Sequence, residues 1–536
     1  MTDLLPDLLP DLVFRQAERS PEATALVARD AGLAYGALAE RVRGFARVLL
    51  QAGLAPGDRV GVFLDKRVET VVAKFGAAAA GCTFVPINPL FRPRHVGHVL
   101  RDCNARVLVT SGDRLATVAA VLADCRDLAL VVLVEGAAPE APAPGALRIV
   151  SWEEALAESA GCTRPPHRRI DADMTAIFYT SGSTGMPKGV VLSHRNLVVG
   201  ARSVSTYLEN HAGDRLLAAL PLSFDAGFSQ LTTAFTVGAS VVLLNYLMPR
   251  DVINAIVRHG ITGLTGVPPL YIQLAQSAWP DPAPTSLRYV ANTGGRMPGA
   301  TLAKLRERLP GTRFFLMYGL TEAFRSTYLP PSEVDRRPDS MGKAIPNVEV
   351  MVVDANGRPC APGEEGELVH RGPLVSLGYW NDPARTAERF KPAPGQPAGL
   401  CLPEIAVWSG DVVRTDDEGF LYFVGRRDDM IKTSGNRVSP TEVEEVVHGT
   451  GLVKEVAAIG APHEMLGQGI VLYVTARDGV PVDVDALLAE CRSQLPAFMV
   501  PHAVVVRPTM PINANGKIDR SLLRDEAGGT FVRDGA

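Results

Sequence analysis

The sequence predicts an α/β protein: a large N-terminal domain of α/β subdomains with a β-rich subdomain, followed by a small α+β C-terminal domain. Three observations predict it. The chain has 536 residues, too many for one ordinary core. From residue 11 to about residue 320, apolar strand-length runs alternate with helical periods, the pattern of a parallel sheet covered on both faces. After about residue 345, short strands punctuated by Gly and Pro take over, and the last stretch of about 110 residues carries its own order of elements.

The elements follow from local pattern. Leu38, Val42, Phe45, Ala46 and Leu49 fall on one face of an amphipathic helix over 35–53. Residues 59–64 read as a buried strand, 68–81 as a helix and 83–86 as the next strand. Residues 136–145, rich in Ala and Pro, read as a surface loop. The alternation resumes with strands over 216–220 and 240–244 and a helix over 251–259. Residues 348–353 and 366–370 are strands of the β-rich part, which a Pro/Gly-rich insert over 391–403 interrupts. Beyond a charged run at 426–429 come a helix (440–448), two strands (456–459 and 469–475), a helix (484–494) and a terminal loop. The expected domains are therefore 1–425 and 426–536, with no appended carrier module.

Composition excludes several classes. A net charge of -4 lacks the basic excess of nucleic-acid binders, and no basic amphipathic stretch suggests a membrane surface. No apolar run approaches the ~20 residues of a membrane span. The N-terminus has no positive leader and is broken by Pro6 and Pro10, so it does not read as a signal peptide. The seven cysteines are scattered without a CxxC pair, which fits buried free thiols and a cytoplasmic location rather than zinc or a disulfide framework.

The chemistry concentrates first in Tyr179-Thr-Ser-Gly-Ser-Thr-Gly-Met-Pro-Lys-Gly189. Strand-like runs flank it at 177–179 and 190–192. Glycines let backbone N–H groups turn inward around an anion, hydroxyls add donors, and Lys188 adds a charge suited to a triphosphate. By composition alone an ordinary Gly/Ser turn fits equally well. The chain contains no G-x-x-x-x-G-K-[ST], and a strand rather than a helix follows the loop, so a Walker-type NTPase or kinase loses its support.

The loop resembles the signature of the AMP-forming ligase superfamily: acyl-CoA synthetases, nonribosomal adenylation domains and luciferases. Further motifs of that superfamily follow in order: Leu220-Pro-Leu-Ser-Phe-Asp225, Asn292-Thr-Gly-Gly295, Tyr318-Gly-Leu-Thr-Glu322, Ser409-Gly-Asp411, Gly425-Arg-Arg-Asp-Asp-Met-Ile-Lys432, Gly435-Asn-Arg437 and Pro511-Ile-Asn-Ala-Asn-Gly-Lys-Ile-Asp519. The resemblance implies a reaction in which a carboxylate joins the α-phosphorus of ATP and expels pyrophosphate. It assigns the phosphates to Thr180, Ser181, Gly182, Ser183, Thr184, Gly185 and Lys188, and Mg2+ to Glu322 and Thr184, with Thr321 beside them. Gly294, Gly295 and Arg296 fall in the adenine loop, Tyr318 with Gly319 at the purine, and Asp411 at the ribose. Arg426, Lys432 and Arg437 belong to the nucleotide-binding set. Lys517 matches the lysine that bridges the incoming carboxylate and the α-phosphate, and Asp428 the hinge of a mobile small domain. Gly435 then lies near the tunnel for the thiol acceptor.

The acyl pocket is less determined. Phe224-Asp225 resembles the Phe-Asp of amino-acid adenylation domains, where the Asp pairs with a substrate ammonium. Three readings stay open: Asp225 pairs with Arg325 inside the chain, it pairs with an amino-bearing acid, or the substrate is another polar acid, of which a free Arg325 could read a second carboxylate. Ala226, Gly227 and Gly266 are read as leaving room, with Met317 in the pocket wall. The segment Met317–Pro331, continuing through Val334-Asp-Arg-Arg-Pro-Asp-Ser340, resembles AMP-forming acyl-CoA ligases associated with bacterial exosortase systems. The expected activity is an acid–thiol ligase using coenzyme A. The alternative is an adenylating enzyme that loads the phosphopantetheine of a separate carrier protein. A non-catalytic nucleotide-binding relative is disfavoured by Lys188, Glu322, Asp411 and Lys517 together.

Overall fold

The computed structural model describes residues 7–136, 147–180, 186–397, 399–426, 429–433, 436–463, 466–477, 479–495, 497–513 and 517–531, with the side chains of Lys432, Asn436 and Arg437 outside them. The expected surface loop over 136–145, residues Ser181 to Gly185, Asp428 and Gly435 fall wholly or almost wholly outside the described residues. Two compact units form, one of Met1–Val350 with His370–Val407 and one of Met351–Val369 with Trp408–Ala536.

The first unit carries the predicted parallel sheets. One has seven strands among the described residues, in the order Arg148–Ser151, Leu130–Leu133, Ala105–Thr110, Arg59–Phe63, Thr83–Pro86, Met174–Thr180, Lys188–Ser193. All its neighbours are parallel except the last pair, a hairpin with Thr180 opposite Lys188. The helix Tyr35–Gln51 buries Leu38, Val42, Phe45 and Leu49 as the spacing predicts. The helix Val68–Ala80 ends on Gly81 with φ +82°. A second sheet runs Thr24–Ala28, Ser240–Leu243, Arg215–Ala218, Gly263–Gly266, Tyr289–Asn292 and Arg313–Tyr318, all parallel. Thr327–Leu329 then turns back antiparallel on Arg313–Tyr318.

In the second unit the antiparallel hairpin of Ile405–Thr415 and Leu421–Arg426 sets Asp411 opposite Arg426. The small C-terminal domain is a five-stranded sheet, among the described residues, around the long hairpin Val453–His463 and Gly467–Ala476. Strand residues alternate faces. Val456, Ala458, Ile470, Leu472 and Val474 pack with Val443, Val447, Leu487 and Cys491, whereas Ala457, Ile459, Ala461, Val471 and Tyr473 pack with Leu523 and Ala527. Burial on both faces is why these strands read as unbroken apolar runs.

Three expectations are corrected. The terminal loop contains a strand, Ala503–Arg507, parallel to Gly467–Ala476, and a helix, Arg520–Ala527. Val504, Val505 and Val506 suit a pleated, half-buried surface, and the Asp519 side chain caps the helix by accepting from Leu522 N. The start of the Pro/Gly-rich insert is strand Phe390–Pro392, paired antiparallel with Ile405–Val407. The cysteines are free, but Cys162 and Cys360 are half-buried and Cys401 is exposed. Among the described residues no helix is long and apolar enough to cross a membrane.

Candidate functional site

Lys188 opens the strand that follows the glycine-rich loop. The segment around Tyr379 lies along that strand, with Leu377 N donating to Val191 O at 2.8 Å and Trp380 N to Gly189 O at 2.7 Å. This non-local pairing sets Tyr379 against Lys188, whose Nζ donates to Tyr379 Oη at 2.8 Å and to Glu322 Oε1 at 3.0 Å. Tyr379 donates in turn to the same Glu322 oxygen at 2.6 Å. Glu322 sits in the short helical turn Thr321–Ala323 after strand Arg313–Tyr318. Burial works against ionisation of Glu322, but the Lys188 ammonium and the Tyr379 hydroxyl outweigh it and hold the carboxyl below the ordinary glutamate range.

Gly294, Gly295 and Arg296 follow strand Tyr289–Asn292, and Tyr318 ends the adjacent parallel strand Arg313–Tyr318 with Gly319 directly after it. Carboxyl ends of neighbouring parallel strands are where open α/β sheets bind ligands. Arg296 is ion-paired with Asp339. Tyr318 lies 6.1 Å from the His370 ring at an interplanar angle of 19°. Burial drives His370 down to about 3, so it is a neutral imidazole, and neither ring nitrogen has a partner. Thr180 Oγ1 and Ser376 Oγ are likewise buried without partners, Thr180 opposite Lys188 and Ser376 bonded through its N–H to the Glu322 carbonyl. Orphaned buried donors and acceptors are costly, and here Thr180 and Ser376 lie beside the Lys188–Glu322 cluster.

Residues 219–222 are held by two lysines, Lys74 buried and Lys66 half-buried. Lys66 Nζ donates to Ala219 O at 2.6 Å and Lys74 Nζ to Leu222 O at 2.7 Å. Lys74 is 1% exposed, and burial pushes its ammonium down to about 7. The unfolded chain then holds more protons than the folded one between pH 7 and the ordinary lysine value of about 10.4. Wild-type stability should therefore rise over that range relative to Lys74→Met, by up to about 1.4 kcal/mol per pH unit. Urea midpoints of the two proteins from pH 7 to 10 measure this, and parallel curves would refute it.

Phe224 precedes helix Asp225–Val237, and Asp225 Oδ1 accepts from Ala226 N at 2.7 Å. Among the described residues no ion pair joins Asp225 to Arg325, so the internal pair is not formed. Arg325 Nη1 reaches Thr293 Oγ1 at 3.5 Å. The expected room at the glycines is also corrected. A Cβ on Gly227 would lie 1.8 Å from Pro221 O and one on Gly266 2.9 Å from the Tyr271 ring, so the missing side chains admit the chain itself. Met317 is buried and accepts at Sδ from Tyr207 Oη at 2.9 Å.

In the second unit Arg426 Nε donates to Asp411 Oδ1 at 2.8 Å, and Asp411 is 5% exposed. Lys432 and Arg437 are register partners across a short hairpin. Lys517 is exposed, in a turn closed by Asn513 N to Lys517 O at 2.7 Å and Lys517 N to Asn513 Oδ1 at 3.1 Å.

Two participants are absent from the sequence reading. Tyr379 stands in Gly378-Tyr-Trp380 with no periodicity to mark it, and His370 lies within the ordinary strand Gly366–Arg371. Only an aromatic beside a glycine hinted at the first, and nothing hinted at the second.

Comparison with known proteins identifies the family. The profile of the AMP-binding enzyme family matches residues 13–380, and that of the AMP-binding enzyme C-terminal domain matches residues 442–517. The long-chain-fatty-acid–CoA ligase of Salmonella typhimurium is 31% identical over 97% of this chain and 95% of its own length. The feruloyl-CoA synthase of an Amycolatopsis species is 31% identical over 96% of this chain and 98% of its own. ATP-bound MatB from Rhodopseudomonas palustris superposes with a TM-score of 0.85 at 25% identity, covering 98% of this chain and 100% of that one. With strand-flanked loop, Lys188–Glu322 cluster and both profiles in agreement, the chain belongs to the AMP-binding enzyme family and is an AMP-forming acid–thiol ligase.

Proposed function

We propose that the chain activates a carboxylic acid with ATP and passes the acyl group to the thiol of coenzyme A. The Lys188–Tyr379–Glu322 cluster carries this reading: a largely buried carboxylate kept ionised by a cation, next to unpartnered hydroxyls and beside a glycine-rich loop. In the first step a substrate carboxylate oxygen attacks the α-phosphorus, a C–O–P anhydride forms, the bond from the α-phosphorus to the bridging oxygen breaks, and pyrophosphate leaves. In the second, the thiol sulfur attacks the acyl carbon, AMP leaves, and the thiol proton passes to solvent.

Negative charge grows on both leaving groups, so fixed positive charge and oriented donors lower the barrier. Lys188 and the Thr180 hydroxyl steady the phosphates, Asp411 accepts from the ribose, and Lys517 supplies charge at the attacking carboxylate. Glu322 suits a magnesium ion brought with the nucleotide, because Mg2+ takes one or two protein carboxylates and completes its shell with phosphate and water. Among the described residues there is no cluster of three or more metal-ligating side chains, which fits that borrowed donor set. The relatives' names, a CoA ligase and a CoA synthase, support coenzyme A as the acceptor.

Pyrophosphate release across fatty, aryl, dicarboxylic and amino acids, with and without coenzyme A, tests the proposal. At least one acid should release pyrophosphate and yield a CoA thioester. Silence across the whole panel would sink it.

A further inference from the structure

Arg325 is 3% exposed. Its side chain makes one long hydrogen bond, Nη1 to Thr293 Oγ1 at 3.5 Å, its guanidinium carbon lies 5.9 Å from the Phe324 ring centre, and its Nε has no hydrogen-bond partner. No carboxylate pairs with it among the described residues. A guanidinium taken out of water without a counter-charge is costly, by an amount a fold does not carry without return.

The backbone shows that this placement is enforced. Arg325 N donates to Ala323 O at 2.7 Å, closing a three-residue turn on Phe324. Phe324 sits at φ +55°, ψ −61°, a strained combination for a bulky residue, and is fully buried. The turn reverses the chain directly after Glu322 and brings Arg325 into the wall of a narrow cleft that Ala226, Ser229, Gln230, Thr233 and Met317 also line. Gln230 and Thr233 are 5% and 2% exposed, and Gln230 Oε1 and Thr233 Oγ1 have no partners. Gln230 Nε2 is already engaged by Gly227 O at 2.9 Å. Three buried polar groups thus line one cleft with unmet hydrogen-bonding capacity, and the only charge among them is positive.

We infer that this cleft takes an acid bearing a second carboxylate, read by the Arg325 guanidinium with Thr233 as an added donor. The inference rests on the ligase reading above and names its substrate class. A guanidinium fork matches a carboxylate with two parallel bonds. The first carboxylate is then left for adenylation, and the product is a mono-thioester that keeps its distal acid. An amino-bearing acid would set its ammonium against Arg325, and an unsubstituted aliphatic chain would leave Arg325, Gln230 and Thr233 unpaired.

The test compares chain-matched pairs, butyrate with succinate and hexanoate with adipate, together with amino acids, in pyrophosphate release by wild type and Arg325→Met. Wild type should favour a dicarboxylate over its matched monocarboxylate by about 10²-fold or more in kcat/KM. Arg325→Met should erase that preference mainly through the KM for the dicarboxylate and raise the Tm of the ligand-free protein. If Arg325→Met does not fold, Thr233→Val should lower the dicarboxylate kcat/KM alone. Turnover of monocarboxylates or amino acids at least as fast as dicarboxylates overturns the inference and leaves the ligase reading standing. If no acid releases pyrophosphate but dicarboxylates raise the Tm of wild type and not of Arg325→Met, the ligase reading falls and this one stands. Absence of both effects overturns this one as well.

Discussion

Glu322→Gln is expected to lower ATP–pyrophosphate exchange by about 10²- to 10³-fold, the usual cost of removing one preorganised charge from a site of developing charge. The substitution is nearly isosteric, and its amide oxygen can still accept from Tyr379. What disappears is the negative charge facing Lys188, whose side chain is 23% exposed against 12% for Glu322. If Glu322 holds Mg2+, the variant should also need far more Mg2+ for half-maximal exchange. If Glu322 merely anchors Lys188, exchange should persist at ordinary Mg2+, and that outcome would overturn the metal assignment.

Lys188→Ala has a different signature, since it leaves a largely buried carboxylate without its cation. A cost of about 1–3 kcal/mol at pH 7 follows, reduced from the fully buried case because both groups retain some exposure. In wild type Glu322 titrates below its unfolded value of about 4.3. Its pairing therefore stabilises above that pH and is lost as pH falls through the folded value. The Lys188→Ala deficit should accordingly be full at neutral pH and shrink in acid. A deficit independent of pH would mean that packing, not charge, was removed.

Lys517→Ala should lower pyrophosphate exchange by about 10²- to 10³-fold and spare the second half-reaction. The turn that carries Lys517 is closed by Asn513 N donating to Lys517 O and Lys517 N donating to Asn513 Oδ1. Stability should change by about 0.5 kcal/mol or less, as for other exposed positions. When acyl-adenylate is supplied with coenzyme A, thioester formation should stay within a few-fold of wild type. Full exchange activity in this variant would remove Lys517 from the mechanism, and equal losses in both half-reactions would make its role general rather than specific to adenylation.

Much of the fold was legible because its signals are local. The apolar face of Tyr35–Gln51 and the runs around Arg59–Phe63 and Thr83–Pro86 record burial directly in residue type. The strand flanks of the glycine-rich loop were legible for the same reason. The valines of strand Ala503–Arg507 carry its signal, but the Pro, Asn and Gly density beyond it reads as a terminal loop. Free cysteines were foreseen, but not that Cys401 would stand exposed in the loop after Phe390–Pro392.

The site divides along the same line. Lys188, Glu322, Asp411 and Lys517 are proposed from sequence because their residue types stand in short motifs of fixed spacing. Tyr379 could not, because it meets Lys188 only through pairing with a strand that begins 191 residues earlier. Nor could sequence choose among the partners of Asp225 and Arg325. That choice depended on the hand of a single turn at Phe324 and on a helix start that engages Asp225 with Ala226. Sequence alone determined the reaction class and the α/β architecture, since both rest on residue types at short range. Which charges meet, and which guanidinium is left facing a cleft, was decided only by tertiary structure, because strand register and turn geometry act between residues that no local pattern connects.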